Sequence, residues 1–326
     1  MAWRSKFGKV ALASAALVLA ITAVACTRPA TKTTANGSGG ALRIAVGIDA
    51  SYAPFFLADQ EGMFADAGLD VQLVQFGRGG EAVDALATGQ VQVAGSSDTT
   101  TIAQLRQNPS LRAMYSYEVS GDYIKVVLRN GVDSAAGIKK MGVVAGLSQI
   151  STTKYLEANH VPAGSVKMID ATPTDMPALL SRGDIDGYVL WEPWPAAALS
   201  QGTGHVAAVT GDYDWFYHHW AITTEPWLRA NDATARSIAK VLDEATKRVE
   251  ADPQLAATTT KKAVNVEEDQ TVAATGEIDF GVHNLTDKDV ASAQSVVDFY
   301  KTIGVLSEQP DLTSALLLDW YQEGKP

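Results

Sequence analysis

The stretch LATGQVQV at Leu86–Val93 returns in altered form as LSRGDIDG at Leu180–Gly187. Each copy combines the end of a helix, a glycine that stops the helix and a short strand. The repetition predicts two similar α/β lobes, and two lobes that face each other leave a cleft between them. Such a cleft is a candidate binding site.

The sequence around each copy alternates between short apolar strands and helical segments. In the first half the patterns predict strands over 42–46, 69–76 and 91–94, and helices over 54–67, over 81–88 and up to 107. In the second half they predict strands over 141–145, 166–169 and 188–190, and helices up to 159 and over 174–182. This alternation predicts parallel sheets covered by helices. The remainder is mostly helical, and we expect its apolar stripes in the core, within 238–249, 290–300 and 316–320.

The N-terminal segment has the pattern of a targeting signal. A basic stretch through Lys9 precedes an apolar run, Val10–Ala25, that is short for a bilayer span of about 20 residues. Cys26, the only cysteine, follows small residues. It is either the residue after an Ala-x-Ala cleavage site or the lipidated N-terminus of a bacterial lipoprotein, and we favour lipidation. Thr, Ser and Gly then predict a flexible tether up to residue 40.

Composition and motifs exclude several classes of function. A net charge of -11 argues against nucleic acid as a partner. A single cysteine excludes an intrachain disulfide and a cysteine-ligated zinc cluster. The sequence has no phosphate-binding P-loop, no G-x-S-x-G and no H-E-x-x-H, although a catalytic triad assembled in space stays open. We therefore expect no metal, no cofactor and no enzymatic activity.

Small polar side chains follow the predicted strands where helices begin, as in the predicted loop Gly95–Asp98. Open α/β sheets bind ligands beyond the carboxyl ends of their strands. Helix capping is the alternative role for each such side chain, but five such loops on two lobes favour a site. The candidate ligand-binding residues in these loops are Asp49, Ser51 and Tyr52, then Arg78, then Ser96, Ser97 and Asp98, then Ser148, Gln149 and Ser151, and finally Trp191, Glu192 and Trp194.

Two aromatic-rich segments carry the sharpest local signals. In Trp191–Trp194 a glutamate lies among tryptophans after an apolar strand. This segment either walls a ligand or packs between the lobes with Glu192 bonded to backbone amides. In the predicted hinge strand Tyr213–Trp220, alternation puts His218 and His219 on opposite faces. Either histidine is a possible ligand contact, and His218 is the candidate taken here, with a structural role as the alternative.

Several stretches resemble the nitrate/sulfonate/taurine-type solute-binding proteins of ABC importers. They are PFFLADQEGMF at Pro54–Phe64, then Gly68–Val71, Leu86–Val93, Gly183–Gly187 and Trp191–Pro193. The resemblance implies an α/β fold of the periplasmic-binding-protein type (type II), with two lobes, a hinge and an interlobe cleft. It also implies a lipid-anchored monomer on the extracytoplasmic face of the cell membrane, which closes on a small-molecule solute and delivers it to an ABC permease.

The N-terminal patterns and the resemblance together predict five parts of the chain. They are residues 1–25 as signal peptide, 26–40 as lipidated cysteine and tether, 41–125 as lobe one, 126–222 as lobe two, and 223–326 as the return to lobe one with C-terminal helices.

One departure from the family bears on the solute. Sulfonate binders typically open the first helix of lobe two with lysine, glycine and serine, where this chain has Ala145–Gln149. The departure disfavours a simple inorganic anion. It favours a zwitterion or a polar heterocycle, with Arg78 on an acidic group and Glu192 or Asp98 on an amine or ring N–H.

Two other functions stay open. The fungal enzyme that makes the thiamine pyrimidine has this fold, but it uses a cysteine cluster that this chain lacks. The missing cluster counts against that enzyme. Two alternatives remain: a secreted enzyme of the same fold, and a subunit that senses a solute for a membrane partner.

Overall fold

A computed structural model describes residues 40–162 and 164–321. The predicted signal peptide, Cys26 and all but the last residue of the tether lie outside these residues. The strands are β1 (Leu42–Val46), β2 (Val71–Gln75), β3 (Val93–Ser97), β4 (Leu111–Ser120), β5 (Lys125–Arg129), β6 (Lys140–Val143), β7 (Lys167–Asp170), β8 (Gly187–Leu190), β9 (Gly204–Val209), β10 (Tyr217–Thr224) and β11 (Asp279–His283). The helices are α1 (Ala53–Gln60), α2 (Met63–Asp66), α3 (Gly79–Ala87), α4 (Asp98–Gln104), α5 (Leu147–Ala158), α6 (Met176–Arg182), α7 (Trp194–Ser200), α8 (Glu225–Ala251), α9 (Pro253–Val264), α10 (Glu268–Thr275), α11 (Asp287–Thr302) and α12 (Leu312–Ala315).

The strands form two sheets with the same internal plan. Sheet one has the order β11-β4-β10-β3-β1-β2, and sheet two has the order β7-β6-β8-β5-β9. Each sheet contains three parallel strands, and the first of them in the chain lies between the other two. In sheet one β1 lies between β2 and β3, and in sheet two β6 lies between β7 and β8. An antiparallel strand then follows the third, β10 in sheet one and β5 in sheet two. The shared plan confirms the prediction of two similar α/β lobes, each built on one sheet.

The repeated stretch occupies equivalent places in the two lobes. It joins α3 to β3 in lobe one and α6 to β8 in lobe two. Gly89 and Gly183 both have φ 74, a left-handed conformation that glycine adopts without steric cost. Their amides bond to the carbonyls of Leu86 and Leu180, both at 3.0 Å. The repeat is therefore one helix-terminating turn used twice.

The chain passes between the lobes twice, at residues 121–124 after β4 and at residues 210–216 before β10. Lobe one therefore contains both the first strands and the last ones. Its core includes the wholly buried Phe55, Phe56 and Leu57 of α1, which contacts α8 and α9.

The structure corrects several sequence expectations. The helix predicted over 54–67 is divided into α1 and α2, because Gly62 between them has φ 72. Ser96 and Ser97 end β3 instead of forming a loop. Leu318 is 41% exposed instead of buried, whereas its neighbour Leu316 is buried.

The described residues have neither a candidate membrane span nor a candidate metal site. In residues 40–162 and 164–321 no helix combines the length and apolar character needed to cross a membrane. Within the same residues no group of three or more His, Cys, Asp or Glu side chains could hold a metal ion.

The equivalent turns yield a stability prediction. Gly89→Ala and Gly183→Ala each force an L-residue into the left-handed region, while an added Cβ meets no close neighbour at Gly89 and only a 3.9 Å contact at Gly183. Each substitution should lower the free energy of unfolding by about 1 kcal/mol, measured by urea denaturation. Gly137→Ala is the matched control, since its φ is ordinary and its Cβ would lie 3.6 Å from Val132. An equal loss in the control would contradict the assignment.

Candidate ligand-binding cleft

A cavity of about 500 Å³ lies between the two sheets. Its lobe-one wall consists of the loops after β1, β2 and β3, and its lobe-two wall of the loops after β6, β7 and β8. Both walls therefore lie beyond the carboxyl ends of parallel strands, where α/β sheets bind ligands. The buried lining residues with polar side chains include Asp49, Tyr123, Tyr217 and His219. We call these four the floor of the cleft.

The carboxyl group of Asp49 is held in place by hydrogen bonds to only one of its two oxygens. Its Oδ1 accepts hydrogen bonds from the Ser51 amide at 3.0 Å, the Ser51 hydroxyl at 2.6 Å and the Tyr123 hydroxyl at 3.3 Å. Its Oδ2 accepts none from the residues that the structure describes. Burial raises the pKa of Asp49, and the Ser51 hydroxyl and nearby His219 oppose that rise. The carboxyl group is thus fixed at one oxygen and unpaired at the other.

Two glycines make space for the aromatic rings beside Asp49. A Cβ on Gly47 would collide with the ring of Tyr52. A Cβ on Gly95 would lie 2.8 Å from the Tyr117 hydroxyl and 3.0 Å from the Tyr52 ring. The Tyr52 hydroxyl in turn donates to the Gly95 carbonyl at 3.4 Å. The strand ends of lobe one therefore need small residues for these rings to pack.

His219 forms a buried pair with Glu118. The ring Nδ1 of His219 lies 2.6 Å from Glu118 Oε1, and the Tyr217 hydroxyl donates to the same oxygen at 3.2 Å. Burial lowers the pKa of His219 to about 4 and raises the pKa of Glu118 well above its ordinary range. Because burial disfavours an uncompensated charge, we expect the pair to stay neutral overall by keeping one dissociable proton.

A bulge in β4 brings this cluster together. His219 pairs with Glu118, but Trp220 pairs with Ser116, so Tyr117 is an extra residue on β4. The bulge lets two consecutive side chains reach one histidine, since the Tyr117 hydroxyl lies 3.2 Å from His219 Nδ1. The Tyr117 hydroxyl, the Glu118 carboxyl group and the His219 imidazole therefore meet in a site from which water is largely excluded.

The walls of the cleft are aromatic on both sides. Trp191 and Trp194 line it from lobe two, and Tyr52 and Phe76 line it from lobe one. The carbonyl of Trp194 accepts a hydrogen bond from the Tyr188 hydroxyl at 2.8 Å, which anchors the start of α7. Aromatic faces on two walls suit a ligand with a flat or apolar part.

The charges that line the cleft are mostly negative. Carboxylates come from Asp49, Glu81 and Asp84, whereas Arg78 is the one lysine or arginine among the described lining residues. The Arg78 guanidinium makes no ion pair or hydrogen bond within the part of the chain that the structure describes. A cation without a protein partner in a cleft is available to an acceptor on a ligand.

The structure divides the predicted binding residues into two groups. Those that line the cleft are Asp49, Ser51, Tyr52, Arg78, Ser97, Trp191 and Trp194. Those that do not line it are Ser96, Asp98, Ser148, Gln149, Ser151, Glu192 and His218.

Glu192 belongs to an ion-pair network. Its Oε1 lies 2.9 Å from the Lys125 Nζ, and its Oε2 accepts the Ala196 amide at 3.0 Å. The same Lys125 Nζ lies 2.8 Å from Glu277, which precedes β11 of lobe one. Both oxygens of Glu192 are therefore occupied, as in the packing alternative considered for this residue.

The serines outside the lining satisfy buried protein groups. Ser148 accepts the Val144 amide at 3.2 Å, and Ser151 accepts the indole N–H of Trp215 at 3.2 Å. The hydroxyl of Ser96 is buried within hydrogen-bond distance of the Thr101 hydroxyl at 3.1 Å. The backbone N–H of Gln149 donates to the Val144 carbonyl at 3.1 Å, next to the Ser148 contact. These contacts are the capping and packing roles that short polar side chains commonly have.

His218 and Asp98 lie together away from the cleft. Strand alternation puts His218 opposite His219, and its Nδ1 is 4.0 Å from Asp289. Burial raises the pKa of Asp98 to about 7, opposed by hydrogen bonds from the Thr99 and His218 amides. The histidine that lines the cleft is therefore His219.

Sequence reasoning missed much of the floor. Tyr123, Tyr217, His219 and the Glu118 behind them lie in or beside strands β4 and β10, which connect to the other lobe. Alternation in Tyr217–Thr224 contained a usable signal, because it places Tyr217 and His219 on one face. For β4, which precedes Tyr123, the sequence patterns predict no strand.

The described residues have the periplasmic-binding-protein fold, with two lobes and a cleft between them. The crystal structure of the periplasmic aliphatic sulphonate binding protein from Escherichia coli has a TM-score of 0.76 to this chain. It is 16% identical, with 86% of this chain and 98% of that chain covered. A likeness at this identity shows the shared fold.

The model of the NMT1-like family matches residues 39–264, and the chain belongs to that family. A taurine-binding periplasmic protein of Escherichia coli (strain K12) is 25% identical over 159 residues, 47% of this chain and 49% of that protein. The nitrate/nitrite binding protein of Synechococcus elongatus is 29% identical over 93 residues, 28% of this chain and 21% of that protein. The matches span half or less of the length of either relative.

The Glu118–His219 pair predicts a pH dependence of stability. With unfolded pKa values of 4.5 and 6.5, the unfolded chain carries one dissociable proton on these groups between those pH values, as the folded pair does. Above pH 6.5 the unfolded groups lose that proton and the folded pair keeps it, so stability falls as pH rises. Below pH 4.5 the unfolded groups bind a second proton, so stability falls as pH drops.

The measurement is urea denaturation at pH 6.5 and 8.5. The double variant Glu118→Gln/His219→Gln should lose less stability over this interval than the natural chain, by up to about 1.4 kcal/mol per pH unit. The control is Glu157→Gln/His160→Asn, at exposed positions, which should keep the slope of the natural chain. Equal slopes in all three proteins would contradict a retained proton.

Proposed function

We propose that this protein is an extracytoplasmic solute-binding protein of an ABC importer. It captures a small polar organic solute between its lobes and delivers the solute to the permease. The observation that carries the proposal is the interlobe cleft of about 500 Å³, a volume that suits a small molecule. Among the described residues, Asp49 Oδ2 and the Arg78 guanidinium in this cleft have no protein partner, so both are available to a solute.

Capture by closure follows from the division of the lining between lobes. Lobe one supplies Asp49 and Arg78, and lobe two supplies Trp191 and Trp194. A solute touches all of them only when the lobes are close together, so binding favours the closed arrangement. The two crossings at 121–124 and 210–216 are the segments about which the lobes would turn.

Relatives named for taurine, nitrate/nitrite and aliphatic sulphonate binding support the capture of a small solute outside the cytoplasm. We extend to this chain a sulfonate- or taurine-like solute, another zwitterion or a heterocycle. We also propose that the mature chain is a monomer anchored to the extracytoplasmic membrane face by lipid on Cys26. Mass spectrometry of the membrane-extracted protein would detect the lipid.

An enzyme remains a second candidate because of the Glu118–His219 pair. A carboxyl group on Nδ1 orients an imidazole as in general acid–base catalysis. The His219 Nε2 has no hydrogen bond to a serine, threonine or other described residue, so no nucleophile is activated by it within the described residues. Product formation measured over time with each solute that binds would separate catalysis from capture.

Binding should raise thermal stability, and the rise should grow with the logarithm of the solute concentration above its Kd. A solute at 100 times its Kd stabilises the folded chain by about 2.7 kcal/mol, which a thermal-shift assay detects as a higher Tm. The protein is tested from residue 41 onward against sulfonates, amino-sulfonates, nitrate, thiamine-pyrimidine precursors and aromatic acids.

A wall substitution should weaken the same interaction. Trp194→Ala should lower the affinity for any stabilising solute about tenfold, equivalent to about 1.4 kcal/mol, measured by calorimetric titration. The control is Leu199→Ala, on the same helix but 45% exposed and outside the cleft lining. No stabilisation by any member of the panel would count against solute capture, and equal affinities in the two variants would remove Trp194 from the site.

A further inference from the structure

The unpaired oxygen of Asp49 indicates the chemistry of the solute. Resting on the proposed function, we propose that the solute is a nitrogen compound with an N–H donor, either an ammonium or amidinium group or a ring N–H, and that this donor binds Asp49 Oδ2. The inference concerns the solute class and not the existence of a binding site.

The surroundings of Asp49 fix the direction of its free oxygen. Three hydrogen bonds converge on Oδ1, from the Ser51 amide, the Ser51 hydroxyl and the Tyr123 hydroxyl. Ser51 lies two residues along the chain and Tyr123 lies in the crossing segment, so the carboxyl group is held from two sides. Only Oδ2 remains for a solute, and Asp49 is among the lining residues of the cleft.

Burial makes that free oxygen costly without a donor. Asp49 is 7% exposed, so water compensates its charge poorly, and a buried carboxylate gains much from a charge-assisted hydrogen bond. An N–H group on the solute supplies that bond. Nitrate or a plain alkanesulfonate has acceptors alone, and either would set a negative oxygen against Oδ2.

The other lining charges agree with a nitrogen donor. Glu81 and Asp84 add negative charge, and Arg78 is the single positive side chain among the described lining residues. A cation or a neutral N–H compound is favoured in such a field. Arg78 leaves a place for an acceptor at another point on the solute, so a zwitterion fits as well.

Asp49→Asn is the decisive variant because it replaces the acceptor Oδ2 with an amide nitrogen, which is a donor. The asparagine Oδ1 can still accept from Ser51 and Tyr123, so the local structure is kept. The amide nitrogen in place of Oδ2 is a donor and would oppose an incoming N–H. The matched control is Asp133→Asn, which makes the same change at an exposed carboxylate outside the cleft lining.

The probes are pairs that differ in the N–H group. They are taurine and ethanesulfonate, benzamidine and benzoate, and 2-aminopyridine and pyridine. Each is titrated at pH 7 into the natural chain and both variants, by calorimetry and thermal shift. Urea midpoints of the ligand-free proteins verify that both variants are folded. We expect binding by N–H members alone, a loss of about tenfold or more in Asp49→Asn, and less than about twofold in Asp133→Asn.

The outcomes separate the inference from the proposed function. Equal or tighter binding of the N–H-free members would overturn the nitrogen inference and leave solute capture standing. Binding of N–H members that Asp49→Asn does not weaken would overturn the role of Asp49. Binding by no probe, together with no stabilisation by the wider panel, would overturn both.

Discussion

The arrangement of the cleft depends on a single buried hydroxyl, that of Tyr123. It lies 3.3 Å from Asp49 Oδ1 of lobe one and 3.3 Å from the Glu192 carbonyl of lobe two. Tyr123 itself belongs to the first crossing between the lobes, and Ser120 fixes its backbone by accepting its amide at 2.9 Å. One hydroxyl proton faces two acceptors, so a shift of either lobe changes which acceptor it serves. The orientation of Asp49 is therefore coupled to the relative position of the lobes.

Compensation of buried charge organises the surroundings of that hydroxyl. Glu118 is paired with His219, and Glu192 shares Lys125 with Glu277. A buried carboxyl group without such a partner is strongly unfavourable. Asp49 is the exception among the buried lining residues, since only one of its carboxyl oxygens is satisfied within the described residues. The Oε2 of Glu118 also has no hydrogen-bond partner there, but Glu118 does not line the cleft. A binding protein needs such an exception, because a group fully satisfied by its own chain gains nothing from a solute.

The features that could be predicted from sequence are local ones. A glycine that ends a helix and a strand that follows it are specified within about eight residues, and Gly89 and Gly183 have the same φ. The strand-end position of Asp49 follows equally from short-range pattern. Its partner Tyr123 could not be predicted, because the contact joins residues far apart in the chain. The choice between His218 and His219 depends on which face of β10 is turned toward the cleft, and that is set by its pairing with the distant strands β3 and β4.

The two lobes share one strand arrangement, but different residues follow equivalent strands, so the site is asymmetric. The strand that ends at Ser97 in lobe one corresponds to β8, after which lobe two places Trp191. At the start of α5, Gly146 has φ 94, and a Cβ there would lie 2.7 Å from the Thr100 hydroxyl of lobe one. The lobes are therefore in close contact beside the cleft, at a position where a larger residue would hold them apart. Thr100, which lies next to Gly146, lines the cleft, as do Asp49 and Tyr123 at the floor. A larger residue at position 146 would therefore displace part of the lining, whereas the free oxygen of Asp49 restricts the chemistry of the solute.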